Sequence, residues 1–561
     1  MNKSIEEKAK SWLNYKDIDP EIKEELDFLW AAFKSGDKLA EEEISDRFYR
    51  ELSFGTGGLR GKLGAGTNRM NQYTVEKTTL GLISYIKMNS LGKAVAVGYD
   101  SRNKSQEFAK MISEILNAEG LDAFLYDTLM PAPALSFAVR FHGCAMGIMV
   151  TASHNPSEYN GYKVYNSRGC QVMEEEAKAI LDEVEKQEWF ATSHRCEKGT
   201  LTIMSQETKS AYNDAVYGET TGVDCSSISV TYTPLNGAGL VPVMEILRRI
   251  GVKDIYVVPE QEHPDGDFPT CPYPNPEKKE ALTLGLALAD KHKTDLLLAT
   301  DPDSDRLGVA ILHEGEYLLP SGNKIGILLT DYICNSRKTK GTMPKDPYMI
   351  RTVVTTKMGD EICKKYGVRV TKTLTGFKYI GAIIGEEEDK GREKDFIFGF
   401  EESYGYLSGT YVRDKDGVNA AMLVCEMVAH YKEQGKTLID RLEEIYQEYG
   451  YYRNSLIEFQ FPGSKGMATM TGIMDKLRDQ PFKEICGHKV TRTIDYQKGE
   501  FLPPSNLIEF LMDDGRGFAV RPSGTEPKLK IYIFGTGKTS DELEKFLSEM
   551  EDTLSEWIEN R

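Results

Sequence analysis

The sequence predicts an α/β protein of several domains that ends in an α+β domain. At 561 residues the chain is too long for one hydrophobic core. Three stretches, beginning near residues 94, 228 and 349, share one plan, in which a short apolar strand leads through a polar turn into a helix. Residues 529–534 then alternate in polarity as a half-buried strand does. A last helix should follow a capping box made by Thr539 and Glu542.

The N-terminal segment predicts a helical extension on the first domain. Asp19 is a preferred N-cap residue and Pro20 suits the first helical position, so a helix should begin there. Residues 1–15 are charged and amphipathic without the apolar centre of a signal peptide, and no membrane span is predicted. The expected units are the extension 1–48 and domains 49–205, 206–320, 321–440 and 441–561.

The first polar loop, Thr-Ala-Ser-His-Asn-Pro at 151–156, follows an apolar run that ends at Val150. A buried strand is predicted there, and ligands of open α/β sheets bind at the carboxyl ends of strands. A lone serine at such a place is usually a turn residue. Here His154 flanks Ser153 and Lys163 can reach the same anion, which favours a hydroxyl that carries phosphate. For His154, structural and catalytic roles are both open.

The second polar loop carries three acidic residues at alternate positions, Asp301, Asp303 and Asp305, after the apolar run 296–299. This spacing in a tight loop directs three carboxylates to one point, as oxygen ligands of a hard cation require. A helix-loop-helix calcium site would need glycine where Arg306 stands. Mg²⁺ is the expected ion, because three ligands leave positions for a phosphate oxygen and water.

Two later loops have the chemistry of a sugar phosphate site. Residues 399–406 supply Glu401 and Ser403 after a predicted strand, and a carboxylate accepts hydrogen bonds from adjacent sugar hydroxyls. Residues 521–528 combine the Arg521 guanidinium with hydroxyls and a glycine, which suits a phosphate group without a P-loop.

The composition limits the partners. The net charge of −18 and a pI near 5.2 argue against a nucleic-acid partner, which would need a basic face. An anionic ligand must therefore be attracted by a local basic pocket. Nine cysteines without a Cys-x-x-Cys pair indicate neither zinc nor disulfides and favour the reducing cytoplasm. The basic candidates are Arg60, Arg102, Lys163, Arg306, Lys378, Arg413, Lys415, Arg521 and Lys528.

Taken together, the loops resemble the α-D-phosphohexomutase superfamily, the phosphoglucomutases and phosphomannomutases. Ser-His-Asn-Pro at 153–156, Asp-x-Asp-x-Asp-Arg at 301–306, Glu-x-Ser-x-Gly at 401–405 and Arg-x-Ser-Gly-Thr-Glu-Pro at 521–527 follow the family's order. Phe-Gly-Thr-Gly-Gly-Leu-Arg at 54–60 is similar to its opening motif. The resemblance spans nearly the whole chain. It implies three similar α/β domains with mixed sheets and a C-terminal α+β domain around a central cleft.

The resemblance also implies a mechanism. Phosphorylated Ser153 gives its phosphoryl group to the 6-hydroxyl of glucose 1-phosphate, and the resulting glucose 1,6-bisphosphate, also the activator, returns its 1-phosphate and leaves glucose 6-phosphate. Mg²⁺ would be bound by Ser153 and the three aspartates. A base must accept the proton of the attacking hydroxyl. The implied catalytic residues are Arg60 and the possible bases Lys163, Lys415 and His154. The implied substrate-binding residues are Arg306, Lys378, Glu401, Ser403, Arg413, Arg521, Ser523, Gly524 and Thr525.

Several alternatives stay open. Glu-Glu-Ser at 401–403 is similar to the glucose-preferring members, while mannose 1-phosphate and ribose 1-phosphate are the alternative substrates. A metal-dependent phosphatase would use the same serine and acidic loop, although the Arg521 loop favours exclusion of water. A non-catalytic sugar-phosphate sensor is the third alternative. The expected partners are small-molecule sugar phosphates, with no nucleic acid and no membrane, and the oligomeric state is left open.

Overall fold

A computed structural model describes residues 2–55, 57–191, 198–461, 466–500, 502–523 and 528–560. These residues form four β-sheets with helices packed against them, which confirms the predicted α/β class with a C-terminal α+β domain. The first three sheets mix parallel and antiparallel strands, whereas the fourth is antiparallel throughout. Within the described part of the chain, no helix is long and apolar enough to cross a membrane.

Three helices form the N-terminal segment: α1 (Lys3–Leu13), α2 (Pro20–Lys34) and α3 (Lys38–Phe48). The side chain of Asp19 accepts hydrogen bonds from the first backbone amides of α2, so the predicted N-cap and the proline at the helix start are confirmed. The backbone amide of Asp19 donates to the Tyr73 hydroxyl at 2.7 Å. Trp12 packs edge-on against both Phe48 and Tyr73, which attaches the three helices to the first sheet domain.

The first sheet has the strand order β1-β5-β4-β2-β3-β6. Its strands are β1 (Gly58–Lys62), β2 (Ala94–Tyr99), β3 (Asp122–Tyr126), β4 (Met146–Val150), β5 (Tyr159–Asn166) and β6 (Leu201–Met204). Its helices are α4 (Gln72–Met88), α5 (Ser105–Ala118), α6 (Ala132–Phe141) and α7 (Glu174–Glu185). The strand predicted before Ser153 is therefore confirmed, and all five of its residues are buried.

The second sheet has the order β11-β10-β9-β7-β8. Its strands are β7 (Ser229–Thr233), β8 (Asp254–Val257), β9 (Leu296–Thr300), β10 (Leu307–His313) and β11 (Glu316–Leu318). Its helices are α8 (Gln206–Tyr217), α9 (Leu240–Arg249), α10 (Pro259–Glu262) and α11 (Thr283–His292). The buried strand β9 confirms the strand predicted before the acidic loop.

The third sheet has the order β13-β12-β14-β15. Its strands are β12 (Tyr348–Thr352), β13 (Arg369–Thr373), β14 (Phe396–Glu401) and β15 (Gly405–Leu407). Its helices are α12 (Gly322–Lys340), α13 (Met358–Tyr366), α14 (Phe377–Asp389), α15 (Gly417–Lys432) and α16 (Leu438–Tyr449). The strand predicted near residue 349 ends at Thr352, and Val353 and Val354 then pack in a cluster with residues of the fourth domain. The boundary predicted at 440 falls inside α16, and the domain boundaries stay predictions.

The fourth sheet has the order β16-β21-β20-β19-β18-β17. Its elements are β16 (Tyr451–Gln460), α17 (Gly466–Asp479), β17 (Glu484–Ile485), β18 (His488–Asp495), β19 (Ile508–Met512), β20 (Gly517–Pro522), β21 (Lys528–Gly537) and α18 (Ser540–Glu559). The alternation predicted at 529–534 lies in β21. Only half of the predicted capping box forms: the Thr539 hydroxyl accepts from the Glu542 amide, but the Glu542 carboxylate accepts from the Lys538 amide and from Arg516.

The first three sheets repeat one arrangement around their functional loops. In each, one strand runs parallel to a neighbour on one side and is antiparallel to its own hairpin partner on the other. These strands are β4, β9 and β14, and they lead into the loops of Ser153, Asp301 and Glu401. Met149, Leu298 and Phe398 of these strands belong to one continuous buried cluster. The three loops are thus fixed by a shared apolar core.

We expect the N-terminal helices to depend on Phe48 far more than on Phe28. Phe48 is fully buried, so Phe48→Ala removes its packing and should cost about 3–5 kcal/mol in the local stability of these helices. Phe28 is 75% exposed, so Phe28→Ala should change little. Hydrogen exchange of α1 to α3 measures both effects. Equal exchange rates in the two variants would contradict this packing.

Candidate active site

Ser153 lies just beyond the end of β4 in a strained and buried turn. Its φ angle is 53°, in the left-handed region, and only 3% of the residue is exposed. The backbone amide of Ser153 donates to Thr151 Oγ1 at 2.8 Å, which holds the turn. The Ser153 hydroxyl donates to Asp301 Oδ2 at 2.9 Å and lies 3.2 Å from His154 Nδ1. The hydroxyl therefore meets the acidic loop of the second domain directly.

The buried guanidinium of Arg102 holds the serine loop in shape. It donates to four backbone carbonyl oxygens of that loop, including those of Ser153 at 2.6 Å and Pro156 at 2.8 Å. Asp100 balances its charge at 3.4 Å and also accepts from Thr151 at 2.6 Å. A network of charged hydrogen bonds, rather than regular secondary structure, thus positions the Ser153 hydroxyl.

Asp301, Asp303 and Asp305 converge as the alternate spacing predicts. One carboxylate oxygen from each lies within 4.8 Å of the others, and all three residues are buried. Burial, then the negative charges of Asp303 and Asp305, raise the pKa of Asp301 well above its usual value. Asp303 Oδ1 and Asp305 Oδ1 are buried without a hydrogen-bond partner among the described residues. Convergent, incompletely bonded carboxylates of this kind fit a hard cation.

Two lysines from other domains partly neutralise this cluster. Lys163 on β5 contacts Asp303 at 2.7 Å and Asp305 at 3.4 Å, and Lys415 contacts Asp305 at 3.0 Å. Burial alone would lower the pKa of both ammonium groups, but the neighbouring carboxylates outweigh burial and raise it. Both lysines therefore remain charged in this state of the protein.

Three further predicted site residues, Arg60, Arg306 and His154, lie beside the serine loop or the acidic loop. Arg60 donates to the Asn155 side chain at 3.1 Å, beside the serine loop. Arg306 forms an ion pair with Glu277, and its backbone amide donates to Asp301 at 3.1 Å. Burial, together with the positive charge of Arg306, lowers the pKa of His154 well below its usual value. The imidazole of His154 is therefore neutral and can exchange a proton with Ser153.

The loop after β14 places a second group of acids near the cluster. Glu401 is buried 4.0 Å from the Lys415 ammonium group, and Ser403 is half-buried in the turn before β15. Burial and the adjacent Glu401 raise the pKa of Glu402 to about 7, with Arg521 opposing this shift. The Arg521 guanidinium of the fourth domain is thus close enough to Glu402 to influence its ionisation.

The loop predicted to bind phosphate, residues 521–528, is described only at its two ends. Arg521 lies on β20 opposite Lys530, and the Ser523 amide donates to the Lys528 carbonyl oxygen at 2.7 Å, which closes the loop. Gly524 and Thr525 lie outside the described residues. The proposed phosphate contacts of this loop remain a prediction.

Two predicted substrate-binding residues are engaged elsewhere in this conformation. The Lys378 ammonium group contacts Glu174 at 2.7 Å, across the interface between the first and third domains. Arg413 is fully buried, where it donates to Glu388 at 2.8 Å and to the backbone carbonyl oxygens of Thr410 and Val412. The substrate-binding roles of Lys378 and Arg413 stay predictions.

Sequence reasoning missed several partners of the site. Tyr165 donates to Asp414 at 2.8 Å beside Lys415, and Glu277 pairs with Arg306. These contacts join residues that are far apart in the chain, and no motif marks them. Arg102 is one of the predicted basic residues, but its attachment to the serine loop was not predictable from local spacing.

The fold and the site together define the class of protein. Four domains of the phosphohexomutase type place a serine hydroxyl beside three buried carboxylates. The chain belongs to the phosphoglucomutase/phosphomannomutase family, since all four of its domain models match. The α/β/α domains I, II and III match residues 51–190, 210–314 and 321–449, and the C-terminal domain matches residues 456–553.

Curated relatives and solved structures agree with this membership. The chain is 35% identical to the phosphoglucomutase of Staphylococcus saprophyticus, covering 90% of this chain and 94% of the relative. It is 36% identical to that of Staphylococcus aureus, covering 88% and 91%. The open form of Paramecium parafusin, a phosphoglucomutase, has the same fold, with TM-score 0.69 and 19% identity over 89% of this chain and 94% of that one. A Burkholderia thailandensis phosphoglucomutase/phosphomannomutase family protein has TM-score 0.67 and 17% identity over 89% and 96%.

We expect Arg102→Met to loosen the serine loop. The variant leaves the loop carbonyl oxygens and the Asp100 carboxylate without their buried cation, a change of the kind that costs about 3–5 kcal/mol. Hydrogen exchange of residues 151–160 should therefore be faster. Lys104→Met is the matched control, because Lys104 is partly exposed and pairs with Glu21 and Glu107. Unchanged protection in Arg102→Met would show that other contacts hold the loop.

Proposed function

We propose that the protein interconverts α-D-glucose 1-phosphate and glucose 6-phosphate through a phosphorylated Ser153. The observation that carries this proposal is the 2.9 Å contact between the Ser153 hydroxyl and Asp301 within the buried carboxylate cluster. A phosphoryl group on that oxygen would lie at the meeting point of three domains. Family membership and relatives named phosphoglucomutase support glucose as the sugar.

The three aspartates would hold Mg²⁺ together with the phosphorylated Ser153. The ion would supply positive charge to the transferring phosphoryl group. The two buried oxygens of Asp303 and Asp305 that lack partners among the described residues suit this role. Mg²⁺ is preferred over other cations because its ligands in proteins are carboxylates and phosphate oxygens.

The chain's own residues would orient the reactants and move the proton. When a sugar hydroxyl attacks phosphorus, the bond between phosphorus and Ser153 Oγ breaks, and the hydroxyl proton must finally reach that oxygen. Neutral His154, 3.2 Å from Ser153 Oγ, is placed to relay it. Lys163 and Lys415, held charged by carboxylates, would stabilise the phosphoryl group electrostatically. Arg60 would anchor the serine loop through Asn155.

Separate loops would bind the two ends of the sugar phosphate. Glu401 ends β14 and Ser403 follows it, and both would accept hydrogen bonds from the sugar hydroxyls. Arg521 and Ser523 would bind the phosphate that is not reacting. The position of Arg521 near Glu402 supports the closeness of these two loops. In this proposal Lys378 and Arg413 would have to exchange their present ion pairs to reach the substrate.

The direct test is incubation with glucose 1-phosphate, Mg²⁺ and a trace of glucose 1,6-bisphosphate. Formation of glucose 6-phosphate without inorganic phosphate is the expected result. Release of inorganic phosphate would instead favour a phosphatase, and absence of both products would favour a sensor. Parallel rates with mannose 1-phosphate and ribose 1-phosphate determine the preferred sugar, which we expect to be glucose.

We expect Asp303→Asn to lose most of its activity and its metal affinity. The variant keeps the shape of the side chain but removes one carboxylate charge, so the loss should fall on the chemical step, by about 3 kcal/mol or roughly a hundredfold in kcat. Titration calorimetry with Mg²⁺ and steady-state rates measure the two effects. Asp254→Asn, exposed at the start of β8, is the control. Full activity of the wild type in EDTA would exclude a role for the metal.

Arg521→Ala should weaken binding more than chemistry. The guanidinium can engage two phosphate oxygens of the non-reacting phosphate, so its loss should raise KM for glucose 1-phosphate about tenfold or more. The variant should also release more free glucose 1,6-bisphosphate, because the intermediate is held less firmly during reorientation. Lys530→Ala, on the neighbouring strand, controls for damage to the sheet. Wild-type KM without bisphosphate release would identify the loop as a structural turn.

A further inference from the structure

A second cavity, distant in sequence from the four motif loops, opens where the fourth domain joins the third. Its volume is about 390 Å³, within the range of small-molecule sites. The connection from β11 to α12, the helix α16, the start of β16 and Ser540 at the start of α18 line it. A single residue, Gly450 with φ 87°, links α16 to β16 at this point. We refer to this space as the hinge cavity.

The walls of the hinge cavity are largely apolar. The side chains of Pro320, Ile439 and Leu442 contribute aliphatic surface. Tyr446 and Tyr451 contribute two stacked rings, with centroids 5.2 Å apart and planes inclined by 23°. An apolar wall of this kind favours an aromatic or branched aliphatic group over a free sugar or an inorganic ion.

Two cations also face the hinge cavity. Lys324 lies in the first turn of α12, and its ammonium group forms no hydrogen bond or ion pair with any residue that the structure describes. Burial, and then the positive charge of Arg453, lowers its pKa. Arg453 is paired at 2.7 Å with Glu544, outside the cavity lining, and the one acid in the lining, Glu443, accepts from the Tyr451 hydroxyl at 2.6 Å. An anion beside Lys324 would give its ammonium group the ion-pair partner that it lacks among the described residues.

We propose that the hinge cavity binds a small organic anion. Its phosphate or carboxylate group would contact Lys324 and Arg453, and its apolar body would pack on the stacked tyrosines and α16. This site is independent of the proposed glucose phosphate chemistry, because none of its lining residues belongs to the four motif loops.

The hinge cavity adjoins elements that pack against the predicted sugar loop and carry the predicted phosphate loop. Gly322, two residues before Lys324, packs so closely that an added Cβ would lie 2.2 Å from the Glu402 carbonyl oxygen. On the other side, Arg453 belongs to β16, which pairs along its length with β21, the strand that leaves the Arg521 loop. A bound anion would therefore join the helix that supports the sugar loop to the sheet that carries the phosphate loop. We expect it to favour one orientation of the fourth domain.

The direct test is the binding of phenyl phosphate, measured by titration calorimetry. The titration is made in saturating glucose 6-phosphate, so that the motif loops are already occupied. We expect one further site in the wild type, at least tenfold weaker in Lys324→Met and unchanged in Lys340→Met, an exposed lysine of the same helix. Inorganic phosphate, which lacks the apolar body, should bind this site at least tenfold more weakly. Phenylacetate in place of phenyl phosphate distinguishes a carboxylate ligand from a phosphate ligand.

A second variant protects the test against a loss of folding. Ile439→Trp fills the hinge cavity from a partly exposed position without removing a charge, and it should abolish the same binding. The proposal is overturned if phenyl phosphate and phenylacetate both fail to bind, or if both variants bind them as the wild type does. The experiment measures binding at Lys324 and not turnover. Its outcome is therefore independent of whether the protein converts glucose 1-phosphate.

Discussion

The buried negative charge of the acidic loop is the constraint on which the rest of the site depends. Three carboxylates within 4.8 Å of one another repel, and burial strengthens this repulsion. The loop of Asp301, Asp303 and Asp305 comes from the second domain, while Lys163 comes from the first and Lys415 from the third. The two lysine contacts that compensate the acidic loop therefore form only when three domains are assembled. The same assembly brings the Ser153 hydroxyl to Asp301.

The common topology of the first three sheets explains how separate domains supply one site. In each sheet the loop-bearing strand lies between a parallel neighbour and its own antiparallel hairpin partner. The carboxyl end of this strand therefore occupies an equivalent position in all three sheets. Residues of β4, β9 and β14 belong to one continuous hydrophobic core. Packing in this core therefore fixes the positions of the three loops relative to one another. The fourth domain contacts the third through a smaller cluster, which includes Val354 and Tyr532. The strand that carries Arg521 thus belongs to a separate unit.

Local patterns predicted the strands before Ser153 and Asp301, the start of α2 and the convergence of the three aspartates. Each depends on neighbouring residues: a short apolar run, a cap followed by proline, or alternate spacing in a tight loop. The partners of Arg102, Arg306 and Arg413 could not be predicted this way, because each contact joins residues separated by 25 or more positions in the chain. Local patterns also gave no sign that Arg413 lies fully buried against Glu388, and its substrate contact stays a prediction.

The central claim is that Ser153 carries the phosphoryl group beside the carboxylate cluster. Intact-mass measurement tests it most directly, after exposure to glucose 1,6-bisphosphate with Mg²⁺ and again after addition of excess glucose 6-phosphate. The wild type should gain one phosphoryl group and lose it to the sugar phosphate, while Ser153→Ala should gain none. Equal labelling of Ser153→Ala, or a label that glucose 6-phosphate does not remove, would contradict it.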